Sequence, residues 1–150
     1  MAKKIYEACR RLLTTCANCQ PDENILIVTD TDSLEIGMAL GDAAEEFPKK
    51  TMVMMEPRKM HGEEPTPLVA AAMLKADVIF RATKFSLSHS HARRDACAAG
   101  ARDLNCCDYS IEMLEKGGLY DITYSARKYD ASYEIYLGSY GEPFLFVNPE

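Results

Sequence analysis

The sequence predicts an α/β domain of three layers, Rossmann-like or flavodoxin-like, with a mainly parallel sheet, an N-terminal helix and a Tyr-rich C-terminal extension. Three observations carry this. Short apolar runs at 25–28, 51–55 and 77–80 have the composition of buried strands. They recur roughly every 25 residues with helical spacing between them, the rhythm of βαβ units. A length of 150 residues with 47% hydrophobic and 27% charged residues is one domain's worth of folded chain.

Each element has its own signature. Ile5, Cys9, Leu12, Leu13 and Cys16 recur at i, i+4, i+7, i+8 and i+11, so residues 3–17 form a helix with one buried stripe. After the turn Pro21-Asp22-Glu23-Asn24, the run ILIV at 25–28 is a buried strand closed by Thr29-Asp30-Thr31-Asp32. Residues 33–46 follow as a helix through Leu34, Met38, Leu40 and Ala44, and Pro48 prevents its continuation. The strand at 51–55 ends at Pro57 and opens into the polar loop 58–64. Thr66 and Pro67 are an N-cap and first-turn pair for an Ala-rich helix over 68–75.

The third strand, 77–80, opens into a loop over 82–89. A helix over about 89–99 is closed by Gly100 at the position after its C-cap. A weaker fourth strand is expected at 104–107, and Ser110 caps a helix over 111–116 that ends at Gly117-Gly118. The tail is different: Tyr120, Tyr124, Tyr129, Tyr133, Tyr136 and Tyr140 crowd together before the apolar run 143–147. Its first part reads as a helix and its last part as a strand. A closing strand so near the terminus either pairs with the sheet edge or belongs to a longer chain.

Charge and cysteine content narrow the function. Seventeen basic against 23 acidic residues give −6, which argues against nucleic acid or an anionic membrane as partner. No run approaches the ~18 apolar residues of a membrane span, and MAKKIYEACRRLL lacks an export signal, so a cytoplasmic protein with reduced thiols is expected. Cys16-x-x-Cys19 has redox or zinc spacing, but Cys16 continues the first helix's apolar stripe, and Cys106-Cys107 is poor zinc geometry. Buried or partly exposed thiols are the simpler reading, and Cys97, in a helix among alanines, is most simply core.

Asp30-x-Asp32 after a strand, with Thr83-Lys84 after the third, has the outline of a haloacid-dehalogenase-like phosphatase. Against that, Thr29 intervenes, Ser33 stands where glycine is usual, and no later acidic pair follows, which leaves helix capping as the stronger reading. No glycine-rich dinucleotide or P-loop motif occurs.

In a parallel sheet, ligands sit beyond the carboxyl ends of the strands, so 30–33, 56–64 and 83–91 share one rim. The run 86–94 brings Ser86, Ser88, His89, Ser90, His91, Arg93 and Arg94 to a helix start, where backbone N–H groups favour an anion. With the helix starting near Ser88, His89 and Arg93 lie one turn apart and His91 points elsewhere. His61, His89 and His91 have no diagnostic metal spacing.

Three stretches carry a family resemblance: NILIVTDTDSLEIGMAL, MMEPRKMHGEEPTPLVAAAMLKADVIF and TKFSLSHSHARRDACAAGARDLNCCDYSIEMLEKGG. Over about residues 20–118 the chain resembles the N-terminal domain of aminopeptidase T-like (leucyl aminopeptidase-like) metallopeptidases, whose superfamily includes 2,5-dihydroxypyridine dioxygenases. MHGEEPTP and SLSHSHARR are its most specific parts, with Phe85 and Cys106-Cys107 as departures. The resemblance implies a domain at 1–118 that forms the non-metal half of a cleft, and an extension at 119–150 that starts a further domain. It implies a divalent metal (Zn, Co or Fe) held by that further domain and none held by this segment. His61, Glu63, Ser88 and Arg93 would contact a peptide or small-molecule substrate. In the dioxygenase branch His89 would be an acid/base; the peptidase branch carries no catalytic role over to this segment. A binding or homodimerisation module using the Tyr-rich tail is the alternative of a different class.

Overall fold

The computed structural model describes residues 2–116 and the strands Tyr133–Leu137 and Pro143–Val147. Strand β1 (Ile25–Asp30) is buried along its whole length, as a central strand covered on both faces must be. It pairs in parallel with β2 (Lys50–Met55) on one side and β3 (Val78–Ala82) on the other, and β3 pairs in parallel with β4 (Arg102–Asn105). The order is β2-β1-β3-β4. Asp30 stands beside Met55, and Thr29 beside Ala82, so these strands finish together at one rim. Because the chain leaves β1 in one direction for β2 and crosses back for β3, that rim has a switch point between β1 and β3.

The two-residue period of the strands divides the core. Ile25, Ile27, Val78, Phe80 and Leu104 face α1 (Lys3–Arg11), α2 (Leu34–Ala43) and α5 (Ile111–Lys116). Leu26, Val28 and Ile79 face Val69 and Met73 of α3 (Pro67–Lys75) and Ala92 and Ala96 of α4 (His91–Ala98). The predicted apolar stripe of the first helix is the buried one, although its second half, Leu12–Cys16, is a π-helical segment. There the Ala17 N–H donates to the Leu12 carbonyl at 2.9 Å. Helix α2 rides close over β1 because Gly37 has no side chain: a Cβ there would stand 2.8 Å from the Thr29 side chain.

Several ends follow the sequence signals. Thr66 Oγ1 accepts the Val69 N–H above Pro67, Ser110 Oγ accepts the Met113 N–H, and Gly100 adopts φ +108° after α4. Others differ. Helix α2 stops at Ala43, before the expected 46. Strand β4 is Arg102–Asn105, because the Arg102 N–H donates to the Asp77 carbonyl and Val78 pairs with Arg102; Cys106 and Cys107 therefore lie in the turn beyond it. Helix α4 begins at His91, since it is Ser90 whose hydroxyl accepts the Arg93 N–H at 3.2 Å. His89 thus precedes the cap and is not on a helical face with Arg93.

In the tail, β5 (Tyr133–Leu137) carries Tyr133 and Tyr136 and pairs antiparallel with β6 (Pro143–Val147), where a closing strand was expected. Gly117, Gly118, Tyr120, Tyr124, Tyr129 and Tyr140, with the helix expected early in the tail, lie outside the described residues. Among the described residues no helix is long and apolar enough to cross a membrane.

Candidate functional site at the strand-end rim

The floor of the rim is a charged cluster inside the fold. Arg81, in the middle of β3, is wholly buried, and its Nε and Nη2 donate to the two oxygens of Asp103 on β4 at 2.7 and 2.8 Å. Asp103 is wholly buried too, and its Oδ2 also accepts Arg93 Nε from α4 at 2.9 Å. Such two-point guanidinium–carboxylate pairing fixes geometry as well as charge. Arg81 Nη1 donates upward to Ser88 Oγ at 3.0 Å, Ser86 Oγ donates to Ser88 Oγ at 2.8 Å, and the Ser88 N–H returns a bond to Ser86 Oγ. Sheet and rim loop are thus one hydrogen-bonded unit.

Two further ties close the rim. Asp30, wholly buried, accepts the Ser33 N–H through Oδ1 at 2.9 Å and the Lys84 N–H through Oδ2 at 2.8 Å, clamping the β1 and β3 loops across the switch point. Asp30 thus does not cap α2, as the sequence suggested: the N-cap is Ser33, whose own side chain makes no capping bond, and the Asp30 carboxylate ties two loops together instead. Lys84 Nζ pairs with Asp108 at 2.9 Å, whose hydrogen bond raises the lysine's pKa, and Thr83 Oγ1 donates to the Phe85 carbonyl.

The loop after β2 is fastened onto the loop after β3. His61 Nδ1 accepts the Ser86 N–H at 2.9 Å, its ring stands edge-on to Phe85 at 5.1 Å, and the Gly62 N–H donates to the Ser86 carbonyl at 2.8 Å. A ring nitrogen that accepts carries no proton, so neutral His61 holds its proton on Nε2. Gly62 takes φ +83°, and a Cβ on it would lie 3.6 Å from the His89 Cβ. His61, Ser88 and His89, singled out from sequence, are brought to one junction.

The other candidates have structural partners. Glu63 Oε2 accepts the Lys59 N–H at 2.6 Å and closes its own loop. Arg93 is buried in the floor against Asp103. The anion seat at the start of α4 is filled by the chain itself, because Glu64 accepts the N–H groups of His91 and Ala92. His91 pairs with Arg94 on the exposed side. Sequence reasoning missed Arg81, Asp103 and Glu64. The signal for the first two was present: a charged residue inside VIFRA and another inside RDLN, each out of place in a buried strand unless paired.

All six cysteines are reduced thiols. Burial pushes Cys9, Cys16 and Cys19 up to about 12 and Cys107 to about 11, and raises Cys106 as well, so none of these is poised as thiolate nucleophile or ligand near neutral pH. Among the described residues no three His, Cys, Asp or Glu side chains converge as a metal site. No family model, curated protein or solved structure matches the chain.

Proposed function

We propose that this chain is the non-metal half of a metal-dependent aminopeptidase-like hydrolase of the aminopeptidase T type, built on a flavodoxin-like domain in a cytoplasmic setting. The observation that carries the reading is the junction at which His61 and the Ser86–Ser88 hydroxyl pair are fastened together, with His89 beside them. It lies at the strand ends beside the switch point, where open α/β sheets take their ligands. The strand order β2-β1-β3-β4 supports the flavodoxin-like assignment.

In this reading His61 and Ser88 line the substrate side, Glu63 holds the loop that presents His61, and Arg93 fixes the floor through Asp103. In the ring-cleaving branch His89, next to Gly62, would be the group to accept or donate a proton. The segment's own donors do not fit the divalent ion that such an enzyme requires. Glu63 and Glu64 are engaged by backbone N–H groups, His61 Nδ1 by Ser86, and no three donors converge among the described residues. The ion belongs, on this proposal, to a complementary domain.

The test supplies that domain. The chain is mixed with the separately expressed metal-binding domain of an aminopeptidase T-like enzyme, with Zn²⁺ or Co²⁺, and release of p-nitroaniline from leucine p-nitroanilide is followed. Hydrolysis by the mixture and by neither part alone is expected. No hydrolysis with either metal overturns the proposal. Turnover of 2,5-dihydroxypyridine with Fe²⁺ instead would assign the chain to the ring-cleaving branch.

A further inference from the structure

Strand β2 is the outer strand of the four-stranded sheet, and among the described strands it has no neighbour beyond β1. Natural edge strands are usually shortened, bulged, or guarded by charge or proline. β2 has six residues, KTMVMM, with one charge at its first position. Its outer part is apolar and open: Met54 is 54% exposed and Met52 40%, and beside them on α2 Met38 is 48% and Leu34 37% exposed. Met38 and Met52 line one shallow depression.

The backbone parity of β2 is fixed. The Ile25 N–H donates to the Lys49 carbonyl, so residues 49, 51, 53 and 55 turn their backbone groups to β1. Residues 52 and 54 turn theirs outward; at the two ends the Lys50 N–H donates to the Phe47 carbonyl and the Glu56 carbonyl accepts from the Arg58 guanidinium. Lys50, Met52, Met54 and Glu56 also share the α2 face by the two-residue period, and Lys50 Nζ, bonded to the Gly41 carbonyl, marks that face.

We propose that β2 pairs antiparallel with β2 of a second copy about a two-fold axis through Val53, joining the two sheets into one. In that register Met52 faces Met54 of the second copy, and Lys50 faces its Glu56. The Met52–Met54 pairs are made of outward-turned residues that exchange two N–H···O=C bonds, while Lys50 and Glu56 meet through their side-chain charges. The charges select the register. Moving the axis to Met54 sets Lys50 against Arg58, and moving it to Met52 sets Lys50 against Met54 and leaves Glu56 opposite Pro48. Only the Val53 axis matches both ends of the strand, twice over by symmetry, as an isologous contact requires. Val53 meets Val53 on the other face, with Thr51 opposite Met55. This surface is separate from the Tyr-rich tail, and the proposal does not depend on the function proposed above.

The test is sedimentation velocity of the full chain across a range of concentrations, with Lys50→Glu and Glu56→Lys variants whose folding is verified by circular dichroism. A wild-type dimer is expected, and each variant alone should weaken it by roughly ten- to hundredfold, because like charges then face each other at both ends. Mixing the two variants should restore dimers, since a carboxylate of one variant then faces an ammonium of the other at both ends of the strand pair. Independently, Val53→Cys should give a disulfide-linked dimer under mild oxidation and Thr51→Cys should not, because only residue 53 meets its own copy at cross-strand distance. A wild-type monomer at every concentration, variants that dimerise as the wild type does, or crosslinking at Thr51→Cys but not Val53→Cys overturns the proposal.

Discussion

Glu64 shows how one side chain at the rim sets local stability. Its slight burial alone would raise its carboxyl, but the N–H groups of His91 and Ala92 and the charges of His91 and Arg94 outweigh that and hold its pKa below the usual value. A carboxyl lowered in the folded state contributes stability above its unfolded pKa, and that contribution is lost as pH falls through the lower, folded pKa. Glu64→Gln should therefore destabilise the protein at pH 7 by ~0.3–1 kcal/mol, the size of an exposed charge at a helix start after solvent screening. As pH falls through the folded value, the urea midpoints of the two proteins should draw together. A gap equally wide in acid would show that the glutamine loses packing and not charge. Asp30 likewise has both carboxylate oxygens engaged by backbone N–H groups, here of two loops. The sequence suggested a helix cap there because the residue follows a strand and precedes a helix, but the Lys84 contact, which comes from another loop, was not legible. Nor was the Glu64 contact, since it joins residues 27 apart in sequence.

At the scale of elements, α2 offers a paired test. Gly37 sits where a Cβ would press on three Thr29 side-chain atoms at 2.8–2.9 Å, whereas a Cβ on Gly41 meets nothing within 4 Å. Gly37→Ala must push α2 off β1 and should cost about 1–3 kcal/mol. Gly41→Ala restricts only the unfolded chain and should gain about 0.5–1 kcal/mol. Chemical denaturation of both variants checks the opposite signs; equal effects would mean that α2 does not approach β1 this closely. The same distinction between local and tertiary causes explains which elements the sequence made legible. The stripe in α1, the runs of β1 and β2 and the Thr66-Pro67 start of α3 are local patterns, and they appear where expected. The start of β4 was displaced by two residues because Arg102 and Asp103 look like loop residues. Arg102 is in fact held by Glu23 and the Ala17 carbonyl, and Asp103 by two arginines. At α4, two serines two residues apart offer the same capping chemistry, and Ser90 wins because its hydroxyl also donates to the Leu87 carbonyl at 2.7 Å.

Across the whole molecule, the rim and the core are joined through Arg81, Asp103 and Arg93. Sequence composition located the rim by its histidines and hydroxyls, but nothing local says that Arg93 turns inward to a carboxylate on β4. That requires the strand order to be known. The cluster joins β3, β4, α4 and the Ser86–Ser88 loop, so a change in it should be felt by all four. Asp103→Asn removes a negative charge that lies between two buried guanidiniums and should cost about 3–5 kcal/mol in urea denaturation. Replacing all three together, as Arg81→Met, Arg93→Met and Asp103→Leu, removes the buried charge altogether and should recover much of that loss, because apolar residues of similar volume often serve as well in a core. Recovery of stability is not recovery of the rim. Ser88 Oγ would lose the Arg81 donor that fixes it, so amide exchange at Ser86 and Ser88 should quicken in the triple variant while exchange in β1 returns to normal. If those loop amides stayed as protected as in the wild type, the cluster would be a core feature only, and the Ser86–Ser88 pair would owe its position to His61 and Gly62 instead.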